Sequence, residues 1–185
     1  MSRKIGLITE GKSDRDVVEA LMRKIVLSKR FKVVPVYARG CGRIKSKCRR
    51  WAENLRSRGC KSLILVHDLD NKDLGILRND LESSLQPSPI SPYGIVVPVQ
   101  MIEAWLLSDG NAIKQVFDLP STPEVSNPES IFDPKAKLRD MVYTLSGKRY
   151  VNTIHNLHIA SALEIEKVRT CPSFRQFDQI MQSIL

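Results

Sequence analysis

Three carboxylates in two short segments carry the chemistry of this chain. Glu10 closes an apolar run in GLITEGKSD, residues 6–14, and Asp68 and Asp70 close another in LVHDLDN, residues 65–71. Alternation along an extended segment puts Asp68 and Asp70 on one side. If both runs are strands whose carboxyl ends share an edge, the three carboxylates converge. Uncompensated, they would repel and raise one another's pKa. A hard divalent cation, magnesium or manganese, resolves that conflict, because it takes oxygen ligands and keeps several waters. Such an ion activates water or stabilises charge on a phosphodiester. Gly11 lets the chain turn sharply beside Glu10.

The same opening stretch also matches G-x-x-x-x-G-K-[ST], the phosphate-cradling loop of nucleotide-binding enzymes, with Lys12 as its lysine. A second feature echoes that reading: LILVHD, residues 63–68, looks like the apolar strand whose terminal Asp holds magnesium in such enzymes. Physical chemistry weighs against it. Only five residues precede Gly6, and Leu7, Ile8 and Thr9 are strand formers rather than loop formers. Glu10 would aim a carboxylate at the phosphates.

The elements that must position these groups follow from periodicity. Lys4 to Thr9 reads as a buried strand, and Ser13 as the N-cap of an amphipathic helix running to about Ser28. Phe31 to Tyr37 is a second strand, broken by Gly40 and Gly42. Ile44, Cys48, Trp51 and Leu55 fall on one face of a second helix that stops near Gly59. Ser62 to Val66 is a third strand, roughly Asp73 to Leu85 a third helix, and Gly94 to Val99 a fourth strand, with a helix beginning at Met101. Strands alternating with helices imply parallel units, with the active site at the carboxyl ends of the strands. Beyond Asp109 the pattern changes. Residues 118–134 are a proline-rich wrapped loop, and helices are expected over Lys135 to Leu145, Ile154 to Val168 and Phe174 to Leu185. The fold class is therefore α/β, with a mainly parallel central sheet over residues 1–109 and a C-terminal helical extension over 110–185.

The 185 residues carry a net charge of +9, a sequence pI near 9.6 and 42% apolar residues. That balance favours a polyanionic partner, nucleic acid before a membrane surface. The charge gathers in residues 39–61, where Arg39, Arg43, Lys45, Lys47, Arg49 and Arg50 stand against one acid, Glu53. Such residues position a phosphate backbone without reading sequence. Lys135, Lys137, Arg139, Lys148 and Arg149 form a second basic group that extends the track. Aromatic residues are only 6%, which does not suggest a stacking surface for single strands. No apolar run approaches the roughly 20 residues of a membrane span, and no secretory leader opens the chain. Cys41, Cys48, Cys60 and Cys171 form no C-x-x-C pair and read as reduced thiols of a cytoplasmic protein. His155 and His158 lie on one helix face without a third metal ligand, so capping contacts are expected of them. His67, beside Asp68, reads equally as a strand-end residue or as an orienting group. Trp105 reads as core.

Glu-Gly after strand one and Asp-x-Asp after strand three, in ITEGKSD (8–14) and LILVHDLDNKD (63–73), resemble the Toprim domain of topoisomerases, primases and OLD-family nucleases. PVQMIEAWLLSD (98–109), DPKAKLRD (133–140) and SFRQF (173–177) extend the likeness to small bacterial Toprim-like proteins associated with ATPases and antiphage defence. The resemblance implies a Rossmannoid core and a nuclease dependent on magnesium or manganese, acting on DNA or RNA. It implies Glu10 as acid/base or metal ligand, Asp68 and Asp70 as metal ligands, and Glu103 as a further acid, with Asp14 and Asp73 as minor candidates. Lys12, Arg43, Lys45, Lys47, Arg49 and Arg50 would hold the nucleic acid. Asp68-Leu69-Asp70 replaces the Asp-Pro-Asp of small ribosomal-RNA nucleases, which points away from RNA maturation. Two other readings stand beside this one: a non-catalytic subunit binding nucleic acid or an ATPase, and a nucleotide binder built on Lys12.

Overall fold

The structure, a computed structural model, describes residues 3–26, 30–38 and 43–184. Ser28, Arg39, Gly40, Cys41, Gly42 and Leu185 lie outside the described residues, as does the side chain of Arg43. Four strands, β1 (Arg3–Thr9), β2 (Phe31–Tyr37), β3 (Ser62–Val66) and β4 (Tyr93–Val96), form one all-parallel sheet in the order β2-β1-β3-β4. Their near-continuous apolar character is what a sheet covered on both faces requires. Period two sorts the side chains. Ile5, Leu7, Ile64, Val66 and Val96 enter one core cluster, and Ile8, Leu63, Leu65 and Ile95 the other.

The second cluster is covered by α2 (Arg43–Ser57) and α3 (Leu74–Leu85) through Ile44, Cys48, Leu55, Leu77 and Leu81. The first is covered by α1 (Lys12–Ile25) together with the C-terminal helices: α5 (Gly110–Phe117), α6 (Pro134–Ser146), α7 (Asn152–Ala162), α8 (Ile165–Val168) and α9 (Pro172–Ile184). A four-residue helix, α4 (Glu103–Leu106), leads into them. Trp105 on α4 is fully buried, stacks on Phe177 at 5.7 Å and meets Phe174 edge-on at 5.2 Å. Its indole N–H donates to Ser173 Oγ at 2.8 Å, so its one polar group is satisfied. Residues on both sides of Asp109 thus share one core over this face of the sheet.

The expected α/β class with a parallel sheet and a helical C-terminal region is what the chain adopts. Several local expectations need correction. The N-cap of α1 is Gly11, not Ser13, whose buried hydroxyl donates instead to the Asn152 carbonyl at 3.2 Å. The first helix ends at Ile25. The fourth strand stops at Val96, three residues early. The helix expected over 154–168 breaks after Ala162, where the backbone N–H of Glu164 turns to Asp109 Oδ2 at 2.9 Å. Gly110–Phe117, which the periodicity passes over, is a helix capped by Asp109. Cys48, Cys60 and Cys171 are buried free thiols.

One position tests the packing of the extension on the sheet. A Cβ on Gly94 of β4 would sit 2.3 Å from Ile180 Cγ2 on α9. Gly94→Ala is expected to cost about 1–3 kcal/mol of stability, and the double change Gly94→Ala/Ile180→Ala to recover much of it. Chemical denaturation of the three proteins checks this; an unchanged midpoint for Gly94→Ala would show that α9 does not seat there.

Candidate functional site

The chain leaves β1 toward β2 on one side and later returns to β3 on the other. The carboxyl ends of β1 and β3 are therefore a topological switch point, where connections diverge and leave a crevice. Glu10 follows β1 and Asp68 follows β3 at that point. A cleft of about 380 Å³ opens there. Glu10, Asp14, Asp68, Asp70 and Glu103 all line it, with Lys12 and Lys135 as its cations.

The carboxylates are held by the backbone around them. Glu10 Oε1 accepts the Asp68 N–H at 2.9 Å and lies 2.8 Å from His67 Nδ1. His67 Nδ1 also stands 2.7 Å from the Asp68 carbonyl. With acceptors on both sides, that nitrogen carries the hydrogen. Burial pushes the Glu10 carboxyl up, but the bond and charge of His67 and the Asp68 N–H outweigh it, and the net displacement is downward. Asp68 Oδ1 accepts the Ile102 N–H at 3.1 Å. Desolvation, then the charges of Asp14, Glu103, Glu10 and Asp70, push Asp68 well above the usual carboxylate range. Asp14 on the first turn of α1 is raised to about 6 by burial and by Glu103 and Glu10, against a lowering contact from the Gly11 backbone.

Asp70 is shaped differently. It lies in a left-handed turn with Asn71, at φ 48° and 60°, facing Gln100 at φ 60°. The Asp70 N–H donates to the Gln100 carbonyl at 2.9 Å, and the Asn71 N–H to Gln100 Oε1 at 3.2 Å. Asp70 is exposed and lies 3.4 Å from Lys72. The simple alternation expected of Asp68 and Asp70 is thus interrupted by positive φ at Asp70, although both still line the cleft.

The buried wall of the cleft is a polar network. Glu103 is 4% exposed and accepts from Asn156 Nδ2 at 3.1 Å and from Tyr150 at 3.5 Å. Asn156 Nδ2 also donates to Ser13 Oγ at 3.0 Å, and its Oδ1 accepts from the Tyr150 hydroxyl. Burial and Glu103 raise the Tyr150 phenol, which keeps it a donor. Asn156 and Tyr150 were not singled out by sequence; the only signal was an asparagine on the apolar-facing side of a helix.

The remaining expectations divide. His67 proves to be the partner of Glu10. Asp73 caps α3 through the Ile76 N–H at 2.8 Å and does not line the cleft. Val151 N–H stands 2.8 Å from His155 Nδ1 at the start of α7, a capping contact. Lys12 lines the cleft and pairs with Asp16 at 2.9 Å. Lys45, Lys47, Arg49 and Arg50 do not line it; Lys45 is paired with Asp80, and Arg49 with Glu53 at 3.6 Å. The apolar stripe of α2 docks it on the sheet face opposite α1 and the C-terminal helices. The phosphate-loop pattern is not folded as a loop: Gly6 to Thr9 are strand, and a Cβ on Gly6 would stand 3.0 Å from Leu55.

The anionic donors of the cleft are carboxylate oxygens, which suit a hard divalent cation in kind. Among the described residues, no three His, Cys, Asp or Glu side chains stand together as a ready metal cage. The reason is visible: Glu10 Oε1 and Asp68 Oδ1 are committed to backbone donors, and Asp70 turns toward Lys72. Glu10 Oε2 and Asp68 Oδ2 have no partner among the described residues and are the oxygens left for a cation.

A family model described as Domain of unknown function (DUF4276) matches residues 9–182, and the chain belongs to that family. No curated protein and no solved structure matches the chain.

The cleft makes a pH prediction. Asp14 has a folded pKa of about 6 against an ordinary value of 3.8. The folded state thus holds this proton to higher pH than the unfolded chain, and stability falls as pH rises from about 4 to about 6. Asp14→Asn is expected to melt a few degrees above wild type at neutral pH, where about 1 kcal/mol shifts Tm by 2–4 °C. Below about pH 4 the two should coincide. A difference independent of pH would refute the repulsion.

Proposed function

We propose that this DUF4276 protein is a divalent-metal-dependent nuclease of the Toprim kind, cleaving phosphodiester bonds of DNA or RNA. The observation that supports it most is the gathering of Glu10, Asp14, Asp68, Asp70 and Glu103 in one cleft at the switch point of a parallel sheet. Asp68 and Asp70, with Glu10, are the residues that would hold magnesium or manganese. Such an ion supplies an activated water and offsets charge on the phosphodiester. Glu10 stays ionised at neutral pH because His67 and the Asp68 N–H hold its Oε1. Its Oε2 is then left either to hold the ion or to accept a proton. Lys12 and Lys135 draw the phosphate toward an otherwise acidic cleft. The Toprim likeness adds a setting: an effector paired with an ATPase in antiphage defence. No helix among the described residues is long and apolar enough to cross a membrane.

A second reading, a binding subunit without catalysis, draws on the absence of a ready metal cage among the described residues. One assay separates the two. Labelled single- and double-stranded DNA and RNA are incubated with magnesium or manganese, alone and with a neighbouring ATPase. Under the nuclease reading wild type cleaves, Asp68→Ala/Asp70→Ala does not, and Glu10→Gln loses at least ~10²-fold in rate. Magnesium also raises the Tm of wild type and not of the double variant. Cleavage that survives both changes, or a chelator, would refute the assignment. Binding without cleavage in every condition would favour the second reading.

A further inference from the structure

The acidic cleft does not end at Lys135. A second cavity of about 200 Å³ shares Lys135 and Asn152 with it and continues to Arg139 and Arg149. A third, of about 250 Å³, shares Arg139 and Arg149 with the second and continues to Tyr143 and Lys148. Three cavities thus succeed one another along a groove on this face, each sharing lining residues with the next.

The floor of the groove is one stripe of α6. Lys135, Arg139 and Tyr143 are spaced i, i+4 and i+8 and all three are exposed. Lys148 and Arg149, on the segment following α6, line it from the other side. Arg149 and Lys135 have no ion-pair partner among the described residues, whereas Arg139 leans on the exposed Asp140 and Lys148 reaches the Phe117 carbonyl. Tyr143 is 67% exposed at the far end, an aromatic face turned to solvent with no core to fill. Lone exposed aromatics are ordinary. This one is set in line with four cations and lines the last cavity of a groove that begins at carboxylates.

We propose that this groove holds a single-stranded segment of nucleic acid, its phosphates on Lys135, Arg139 and Arg149 and one base stacked on Tyr143, leading the strand into the cleft. Cations at helical spacing with an aromatic among them form the arrangement that tracks a single-stranded backbone and stacks its bases. Eight residues of helix span ~12 Å, room for about three nucleotides. On this proposal the groove takes a strand end or an unpaired stretch, and α6 rather than α2 carries the substrate. The direction of travel rests on the reading of the cleft as a phosphodiester-cleaving site; the binding itself does not.

The experiment is fluorescence anisotropy of the full chain with labelled oligothymidine, oligouridine and a DNA duplex, in chelator so that nothing is cleaved. Wild type should bind the single strands more tightly than the duplex. Arg139→Ala/Arg149→Ala should weaken single-strand binding at least ~10-fold and reduce the slope of log K against log salt by ~1.4, the value for two lost phosphate contacts. Tyr143→Ala should weaken single strands about fivefold or more and leave the duplex unchanged, while Tyr143→Phe restores binding. Lys47→Ala/Arg50→Ala on α2 should change none of these, and all variants should keep the wild-type Tm. Duplex preference, no oligonucleotide binding, or losses confined to the α2 variant would each overturn the proposal. Intact single-strand binding by the groove without metal-dependent cleavage in the earlier assay would instead overturn the nuclease reading alone.

Discussion

Glu10 Oε1 is held across the crevice between the two central strands by the Asp68 N–H at 2.9 Å and by His67 Nδ1 at 2.8 Å. The crevice exists because the chain leaves β1 in one direction and enters β3 from the other. Carboxylates brought there repel, and water is partly excluded, so each needs a compensating donor. The backbone supplies them: Asp68 N–H for Glu10, Ile102 N–H for Asp68, and the Gly11 backbone for Asp14. Glu10 has the His67 side chain in addition to its backbone donor. The raised pKa values of Asp14 and Asp68 follow first from burial and then from the neighbouring carboxylates, which the backbone donors do not fully offset.

That residual strain explains why the C-terminal helices belong to the site. Glu103 is nearly inaccessible to water and would be costly alone. Asn156 answers with its whole amide: two N–H bonds to Ser13 and Glu103, and an oxygen accepting from Tyr150. A side-chain amide satisfied in three directions fixes the rotation of α7 against α1 and α4. The Trp105, Phe174 and Phe177 cluster fixes α9 under the same wall. Residues beyond 109 thus hold the carboxylates in place as firmly as the strands do.

Much of the architecture was legible where one physical signal dominated. Phe31–Tyr37 and Ser62–Val66 read directly as strands, because both runs are rich in β-branched and other apolar residues. The Ile44, Cys48 and Leu55 stripe likewise placed α2. Elements governed by a single tertiary contact were not legible. Gly110–Phe117 is short and begins with glycine, and its helix rests on the Asp109 cap. The break after Ala162 depends on the Glu164 N–H finding Asp109, 55 residues earlier. At the site, Glu10, Asp68 and Glu103 could be placed because strand ends and helix starts are local events. Positive φ at Asp70, the His67 contact to Glu10 and the role of Asn156 are long-range outcomes with no local pattern.

Charge shows the same division between composition and placement. The densest basic segment of the sequence lies on α2, yet its buried stripe points at the sheet face opposite the C-terminal helices. Lys45 and Arg49 are drawn to Asp80 and Glu53. Of the sparser set on α6 and the segment after it, Lys135 lines the cleft, while Leu138 and Val142 bury the other side of that helix. The apolar residues of each helix, which carry no charge, thus decide which cations meet the carboxylates. Lys12 and Lys135 are the cations that line the cleft with the acidic cluster. Net charge draws a polyanion to the surface as a whole; the buried stripes of α2 and α6 determine where on that surface it can reach the strand ends.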